Sequence, residues 1–264
     1  MTRTGIILTL APTAVLLSLR AQANNLAYAA PASVLAADPR TFITNLERGR
    51  PPAVTPELKA LIRDSLPREG RVKELRPAAR RKLASLEQVL RVHQRQAVYD
   101  VMVISVPQAF IGLHARAILL ISEAALNLFD SEELQALIAH EIGHEYIWDH
   151  YEKARQIQDH RRLQELELLC DCVAIITLRQ ARLDPSRLIA GFEKIARFNS
   201  RFGKPLNEDR YPPIVERKEF VRAVVAWSAG ANWSDPGIDP EGVPRSTHDV
   251  AQPTPPSQDH GSRK

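Results

Sequence analysis

Apolar residues are spaced in two different ways along the chain, and each spacing predicts its own type of element. From Pro77 to about Gln94 they recur every three or four positions, which is typical of an amphipathic helix. Residues 97–106 and 110–122 are instead rich in β-branched side chains with partial alternation, which favours two strands. The pattern therefore predicts a small sheet followed by a largely helical region.

The segment after the predicted strands has the signals of a well-defined helix. Asp130 fits the N-cap position, and Glu133 stands three residues later, as in a capping box. An apolar stripe follows at helical spacing, formed by Leu134, Leu137, Ile138 and Ile142. The sequence therefore predicts a helix that begins after Asp130 and buries one face.

The remaining helix boundaries are marked less clearly. Neither glycine nor proline lies between Gly143 and Pro185, so periodicity alone does not separate the helices there. We place a boundary near Asp159 and His160. Further helices are predicted to begin at Asp184-Pro185 and at Pro212-Pro213, because proline is favoured in the first turn of a helix.

The first 23 residues have the features of an export signal. Arg3 supplies a positive charge, residues 5–19 are mainly apolar, and Ala21-Gln22-Ala23 fits a small-x-small cleavage site. As a helix the apolar run would reach about 22 Å, less than the ~30 Å hydrocarbon core. We therefore expect residues 1–23 to be a signal peptide and the protein to be exported, either to the periplasm or secreted. Membrane contact is expected only if this segment stays uncleaved.

Composition and breaker residues divide the rest of the chain. Residues 24–54 are expected to be a loosely structured lead-in, residues 55–228 a folded domain, and residues 229–264 a disordered tail rich in proline and glycine. Aromatic residues make up only 6% of the chain. The net charge is +4, and the basic residues are interspersed with acidic ones along the chain. Both features argue against a nucleic-acid partner. Cys170 and Cys172 lie two positions apart in a predicted helix, so no disulfide between them is expected.

The strongest chemical signal is the HExxH pentapeptide of residues 140–144. Histidines four positions apart project from the same face of a helix, so His140 and His144 are both positioned to bind one zinc ion. Glu141 lies beside them, where a carboxylate takes a proton from water. A catalytic zinc site usually has three protein ligands, so a third ligand is expected elsewhere.

Two candidates compete for the third ligand position. His150 lies ten residues after His140, a spacing found in zinc proteases that turn the chain at an intervening glycine. That position is held by Ile147, whose β-branched side chain disfavours positive φ, so the helix is expected to continue and carry His150 away.

Glu167 is the preferred candidate, because Asp171 lies one helical turn later on the same face. One carboxylate is then positioned to bind zinc while the other accepts the ring N–H of a ligand histidine. Glu165 is kept as the alternative ligand if Glu167 faces elsewhere.

Three sequence motifs together resemble a known family. They are His140-Glu141-Ile142-Gly143-His144, the later E-x-x-C-D-x-x-A run at residues 167–174, and Gln108-Ala109-Phe110 before a predicted strand. The sequence resembles the zinc metallopeptidase family of HtpX and the CAAX prenyl endopeptidase, including its soluble exported members, over about residues 78–222. Cys170 stands where the family usually has alanine.

The resemblance implies specific roles for the motif residues. His140, His144 and Glu167 would bind one zinc ion, Glu141 would be the general base, and Asp171 would support a ligand from outside the coordination sphere. The implied fold is a mostly helical α+β, zincin-like (minigluzincin) domain over residues 55–228, with a small sheet whose edge strand comes from Ala109–Ser122.

One part of the family pattern differs. Members often carry His-Pro before a helix with glutamate and arginine, whereas here Tyr211-Pro212-Pro213 precedes Glu216-Arg217. The resemblance makes Tyr211 and Arg217 candidates for contact with the substrate or the oxyanion. The alternative is that Tyr211 packs in a loop and Arg217 forms a structural ion pair.

These features predict an exported zinc metalloendopeptidase. It would hydrolyse peptide bonds of protein or peptide substrates through a zinc-activated water, with a role in protein quality control. The alternative is a zinc-binding, chaperone-like or inactive module of the same fold that does not cleave peptides.

Overall fold

The computed structural model describes residues 38–68, 70–203 and 208–231 of the protein. The predicted signal peptide and residues 232–264 of the predicted tail lie outside the described residues. Within the described part, no helix combines the length and the apolar character that crossing a membrane requires.

The described residues form a mostly helical α+β fold with one small sheet, which confirms the predicted fold class. The helices are α1 (Pro39–Glu47), α2 (Pro56–Ser65), α3 (Pro77–Ser85), α4 (Glu87–Val92), α5 (Glu123–Leu128), α6 (Ser131–Tyr146), α7 (Trp148–Gln156), α8 (His160–Gln180), α9 (Ser186–Asn199) and α10 (Ile214–Ala229). The strands are β1 (Asp100–Ile104), β2 (Ile111–His114) and β3 (Ile118–Ser122).

A loosely structured lead-in is predicted for residues 24–54, of which residues 24–37 lie outside the described part. Helix α1 corrects this prediction for the described residues 38–54. Phe42, Ile43 and Leu46 are buried on one face of this nine-residue helix and belong to the main hydrophobic core. Proline at its first position and Asp38 as a side-chain cap define its start. The folded domain therefore includes residues that precede the predicted boundary at residue 55.

The sheet has the strand order β1-β3-β2, with β1 parallel and β2 antiparallel to the central strand β3. The segment 110–122, predicted as a single strand, is a hairpin of β2 and β3. The chain turns at Ala115 and Arg116, which have positive φ values of 47° and 56°. Neither residue type signals such a turn. The edge strand predicted within Ala109–Ser122 is β2. Because β2 pairs with β3 on one side only, the backbone groups on its other side point away from the sheet.

Helix α6 begins with the predicted capping box. The Asp130 carboxylate accepts a hydrogen bond from the Glu133 N–H at 2.8 Å, and the Glu133 carboxylate accepts one from the Asp130 N–H at 3.0 Å. The helix ends at Tyr146, because Ile147 leaves helical geometry with φ −115° and ψ 14°. The prediction that the helix continues through Ile147 is therefore wrong, although Ile147 does avoid positive φ.

Helix α8 forms the centre of the domain and packs against α6. It begins at the predicted boundary, where the Asp159 side chain caps it by accepting from the Arg162 N–H at 3.0 Å. Residues 166–178 of α8 are all buried. The two helices approach most closely at Gly143, where an added Cβ would lie 2.8 Å from the Cα of Cys170. This contact brings the HExxH face of α6 directly against α8.

Candidate metal centre

The HExxH residues form one compact group on α6. His140, Glu141 and His144 each offer a potential ligand atom, and these atoms all lie within 4.8 Å of one another. The two imidazole rings have centroids 5.2 Å apart and are almost perpendicular. The helix thus places both imidazoles and a carboxylate at one point, as the four-residue histidine spacing requires.

Glu167 reaches this group from α8. Its Oε2 lies 3.3 Å from Nε2 of His140, and its Oε1 lies 3.8 Å from Nε2 of His144. Burial by itself raises the pKa of Glu167, but the imidazoles of His144 and His140 outweigh it and lower the pKa to about 2. The structure therefore brings together the three residues that the sequence predicts as ligands.

Asp171 lies one turn along α8 and holds His140 from the other side of its ring. Its Oδ1 is 2.8 Å from Nδ1 of His140, which leaves Nε2 facing Glu167. Arg217 of α10 donates two hydrogen bonds to the Asp171 carboxylate, both at 2.7 Å. Since all of these groups are buried, the guanidinium supplies the countercharge that a buried carboxylate needs.

Glu141 is oriented by the edge strand. The backbone N–H of Leu113 donates to Oε2 of Glu141 at 3.1 Å. Burial raises the pKa of Glu141 to about 7, and the positive charges of His140 and Arg217 only partly oppose this rise. A carboxylate with a pKa near neutrality is suited to take up and release a proton.

The outward edge of β2 has a defined pattern of backbone groups. Because the Ser122 N–H bonds the Phe110 carbonyl across the sheet, Ala109, Ile111 and Leu113 point their N–H and C=O groups away from β3. Asn199, the last residue of α9, bonds both groups of Ala109 through its side-chain amide, at 2.9 and 2.8 Å. The N–H and C=O of Ile111 have no partner among the described residues.

Tyr151 of α7 is a site residue that the sequence did not indicate. Its hydroxyl donates to Oε1 of Glu167 at 3.1 Å, and its ring packs edge-on against His144 with centroids 4.9 Å apart. The break at Ile147 sets the direction of α7 and hence this contact. The only available signal was a tyrosine seven residues after His144, which is not a recognisable motif.

The alternative ligands lie apart from this group. Glu165 forms ion pairs with Arg162 at 2.8 Å and Arg161 at 3.5 Å. His150 is half-buried on α7, where burial and the charge of Arg162, rather than residues of the HExxH group, lower its pKa. Neither residue is positioned beside the imidazoles of α6.

Arg217 and Tyr211 have different surroundings. Arg217 is buried between Asp171 and the ring of Phe192, whose centroid is 3.5 Å from the guanidinium carbon. Tyr211 keeps 48% of its surface exposed, and burial of its hydroxyl end near Glu167 and Glu141 raises its pKa to about 12. Arg217 is therefore committed to the buried network, whereas Tyr211 faces solvent at the same site.

The donor set fits a zinc ion. Two imidazole nitrogens and one carboxylate are the nitrogen and oxygen ligands of many catalytic zinc sites. The buried Oε2 of Glu167 accepts no hydrogen bond, although it points at the imidazole pair. Burial by itself lowers the pKa of His140, but the neighbouring carboxylates of Asp171 and Glu167 outweigh it and raise the pKa to about 9. These carboxylates therefore favour positive charge at this point, and a bound cation would take the place of a proton there.

Comparison with known proteins gives the same assignment. Residues 75–190 match the family model of Peptidase family M48, a segment that runs from just before α3 into α9 and includes the HExxH helix, Glu167 and Asp171. No curated protein matches the chain. The family match confirms the resemblance seen in the sequence and supports a zinc metallopeptidase of family M48.

Proposed function

We propose that this zinc metallopeptidase is an exported endopeptidase that binds one zinc ion through His140, His144 and Glu167 and uses Glu141 as the general base. The observation that carries this proposal is the convergence of both Nε2 atoms on the Glu167 carboxylate. It supports the ligand set because three donors from two helices meet at one buried point.

The chemistry follows from the groups around that point. When bound, zinc supplies Lewis acidity, which acidifies water and polarises a peptide carbonyl. Glu141 takes the proton of the attacking water and passes it to the leaving amine. The Leu113 N–H holds the Glu141 carboxylate in place, so that one residue acts first as base and then as acid.

The substrate is proposed to be an extended peptide that pairs with β2. Ile111 offers one N–H and one C=O at the outward edge, next to the Leu113 amide that bonds Glu141. Such pairing recognises the backbone and selects only weakly for side chains. This weak selectivity supports a role in the degradation of unfolded proteins, which is the quality-control function that we propose.

Tyr211 is proposed to contact the substrate, because its ring is half-exposed beside the buried carboxylates. Arg217 is proposed to act through Asp171 instead, since both of its hydrogen-bonded nitrogens are bound to that carboxylate. Export to the periplasm or secretion is proposed from residues 1–23, and N-terminal sequencing of the exported protein tests it, with Asn24 as the expected first residue.

Replacement of Glu141 by glutamine tests the mechanism. The amide keeps the shape of the side chain but does not accept a proton, so hydrolysis of casein should fall by at least ~10³-fold. Zinc content should remain near that of the wild type, because both imidazoles and Glu167 are unchanged. Cleavage by the wild-type protein should also stop on addition of a chelator.

Two outcomes would contradict the proposal. Full activity of Glu141→Gln would remove Glu141 from the mechanism. A wild-type protein that binds zinc but cleaves no peptide would identify the chain as the inactive or chaperone-like module instead.

A further inference from the structure

The two zinc-ligand histidines have different partners at their second ring nitrogens. Nδ1 of His140 faces Asp171, whereas Nδ1 of His144 lies 3.5 Å from the sulfur of Cys170. No other described residue hydrogen-bonds this nitrogen of His144. A histidine that binds zinc through Nε2 carries its proton on Nδ1, and a partner for that N–H fixes the ring and its tautomer.

We infer that Cys170 is a positioning residue for the zinc site. Its sulfur accepts a hydrogen bond from the Nδ1–H of His144 and thereby holds Nε2 of that ring towards Glu167. This inference rests on the proposed ligand role of His144. It concerns a hydrogen bond outside the coordination sphere, so the sulfur is not a ligand.

The position of Cys170 on α8 explains how one helix does this. Glu167, Cys170 and Asp171 are at positions i, i+3 and i+4, so they lie on one face of the helix. That face supplies the carboxylate between the imidazoles and an acceptor for each Nδ1. Two consecutive residues of α8 thus orient two ligands that are four residues apart on α6.

The packing leaves the sulfur little freedom to move. Cys170 is completely buried, and an added Cβ at Gly143 would be 2.8 Å from its Cα and 3.0 Å from its Cβ. The backbone of α6 therefore lies directly against this residue, beside the His144 side chain. A sulfur 3.5 Å from a ring nitrogen is within the usual range of a weak N–H···S hydrogen bond.

The test compares four variants at two cysteines. Cys170→Ala removes the acceptor, and Cys170→Ser keeps one in the form of a hydroxyl. Cys172→Ala and Cys172→Ser are the matched controls, because Cys172 is equally buried two residues later, whereas the sulfur hydrogen-bonded to His144 is that of Cys170. Zinc affinity is measured by competition with a chromophoric chelator, and the melting temperature of each variant is recorded in parallel.

Cys170→Ala should weaken zinc binding about 10-fold, the lower end of the range for partners of ligand histidines, since a thiol is a weak acceptor. Cys170→Ser should stay within about 2-fold of the wild type, and so should both Cys172 variants. A Cys170→Ala protein with wild-type affinity would overturn the inference, and so would equal losses in Cys170→Ala and Cys170→Ser.

Nuclear magnetic resonance of the zinc-loaded wild type reports the position of the proton on each histidine ring directly. With ¹⁵N-labelled histidine, both His140 and His144 should carry a protected proton on Nδ1. In Cys170→Ala the Nδ1 proton of His144 should exchange faster, while that of His140 stays protected by Asp171. A wild-type His144 with its proton on Nε2 would overturn the inference. A wild type that binds no zinc would instead overturn the proposed function on which it rests.

Discussion

Replacement of Glu167 by alanine is the sharpest test of the metal centre, because the sequence offers His150 as a competing ligand. In the structure the Glu167 carboxylate lies 3.3 and 3.8 Å from the two Nε2 atoms, whereas the charged neighbours of His150 are Arg162, Asp149 and Lys153. Glu167→Ala should therefore leave two protein ligands of three, and His150→Ala should leave all three.

The size of the loss follows from the free energy of a complete site. Structural zinc sites with four ligands bind with roughly 10–16 kcal/mol, so one ligand accounts for about 2.5–4 kcal/mol. At 1.4 kcal/mol per tenfold change, Glu167→Ala should weaken zinc binding by about 10²–10³-fold. His150→Ala should change the affinity by less than about 2-fold, within the error of a neutral surface change.

Chelator competition at pH 7 measures both values. Glu165→Ala is the matched control, because Glu165 lies on the same helix and pairs with Arg161 and Arg162 away from the imidazoles. Glu167→Gln keeps the side-chain volume and separates loss of the ligand from loss of packing. Zinc content that follows His150 and ignores Glu167 would refute both the ligand assignment and the geometric argument behind it.

Two further predictions concern the edge strand β2 and the pH dependence of stability. Asn199→Ala should raise KM about tenfold at unchanged zinc content, because it releases both backbone groups of Ala109 and loosens β2; an unchanged KM for a peptide substrate would contradict this. Burial lowers the pKa of His93 to about 3. The unfolded chain binds this proton below pH ~6.5, so stability should fall by up to about 1.4 kcal/mol per pH unit from pH 6.5 towards 3. In urea unfolding at pH 7 and 5, His93→Gln should show a smaller fall than the wild type, and an equal fall would exclude His93 as the cause.

The parts of the site that the sequence predicted are those held by local geometry. His140, Glu141 and His144 lie within one turn of α6, and helical spacing alone brings them together. The capping box at Asp130 was predictable for the same reason, since both partners lie three residues apart. Glu167 and Asp171 were found because they share a helical face.

The parts that the sequence did not predict depend on contacts between distant segments. Tyr151 reaches Glu167 only because Ile147 interrupts the helix, and a β-branched residue in mid-helix gives no signal for a break. Asn199 meets Ala109 across 90 residues of sequence. An asparagine at the end of a helix usually acts as a local cap, so this longer-range role had no sequence signature.

The sheet and the N-terminal segment show the same limit. Ala115 and Arg116 adopt positive φ although neither residue favours it, so the sequence predicts one strand where β2 and β3 are joined by a turn. The helix α1 has only three buried apolar residues, and a pattern of that length does not stand out among prolines. In both places tertiary packing outweighs the local preference.

Gly143 shows how the sequence of the pentapeptide and the packing of the helices are connected. A glycine inside a helix costs about 1 kcal/mol relative to alanine, so its presence in α6 calls for a compensating contact. That contact is with α8, because a Cβ at this position would lie 2.8 Å from the Cα of Cys170 and force the two helices apart. The Nε2 atoms of α6 now lie 3.3 and 3.8 Å from the carboxylate of Glu167, and a shift of one ångström would take both out of a common coordination sphere. The glycine therefore weakens the helix locally and, by allowing the close approach, places the third ligand.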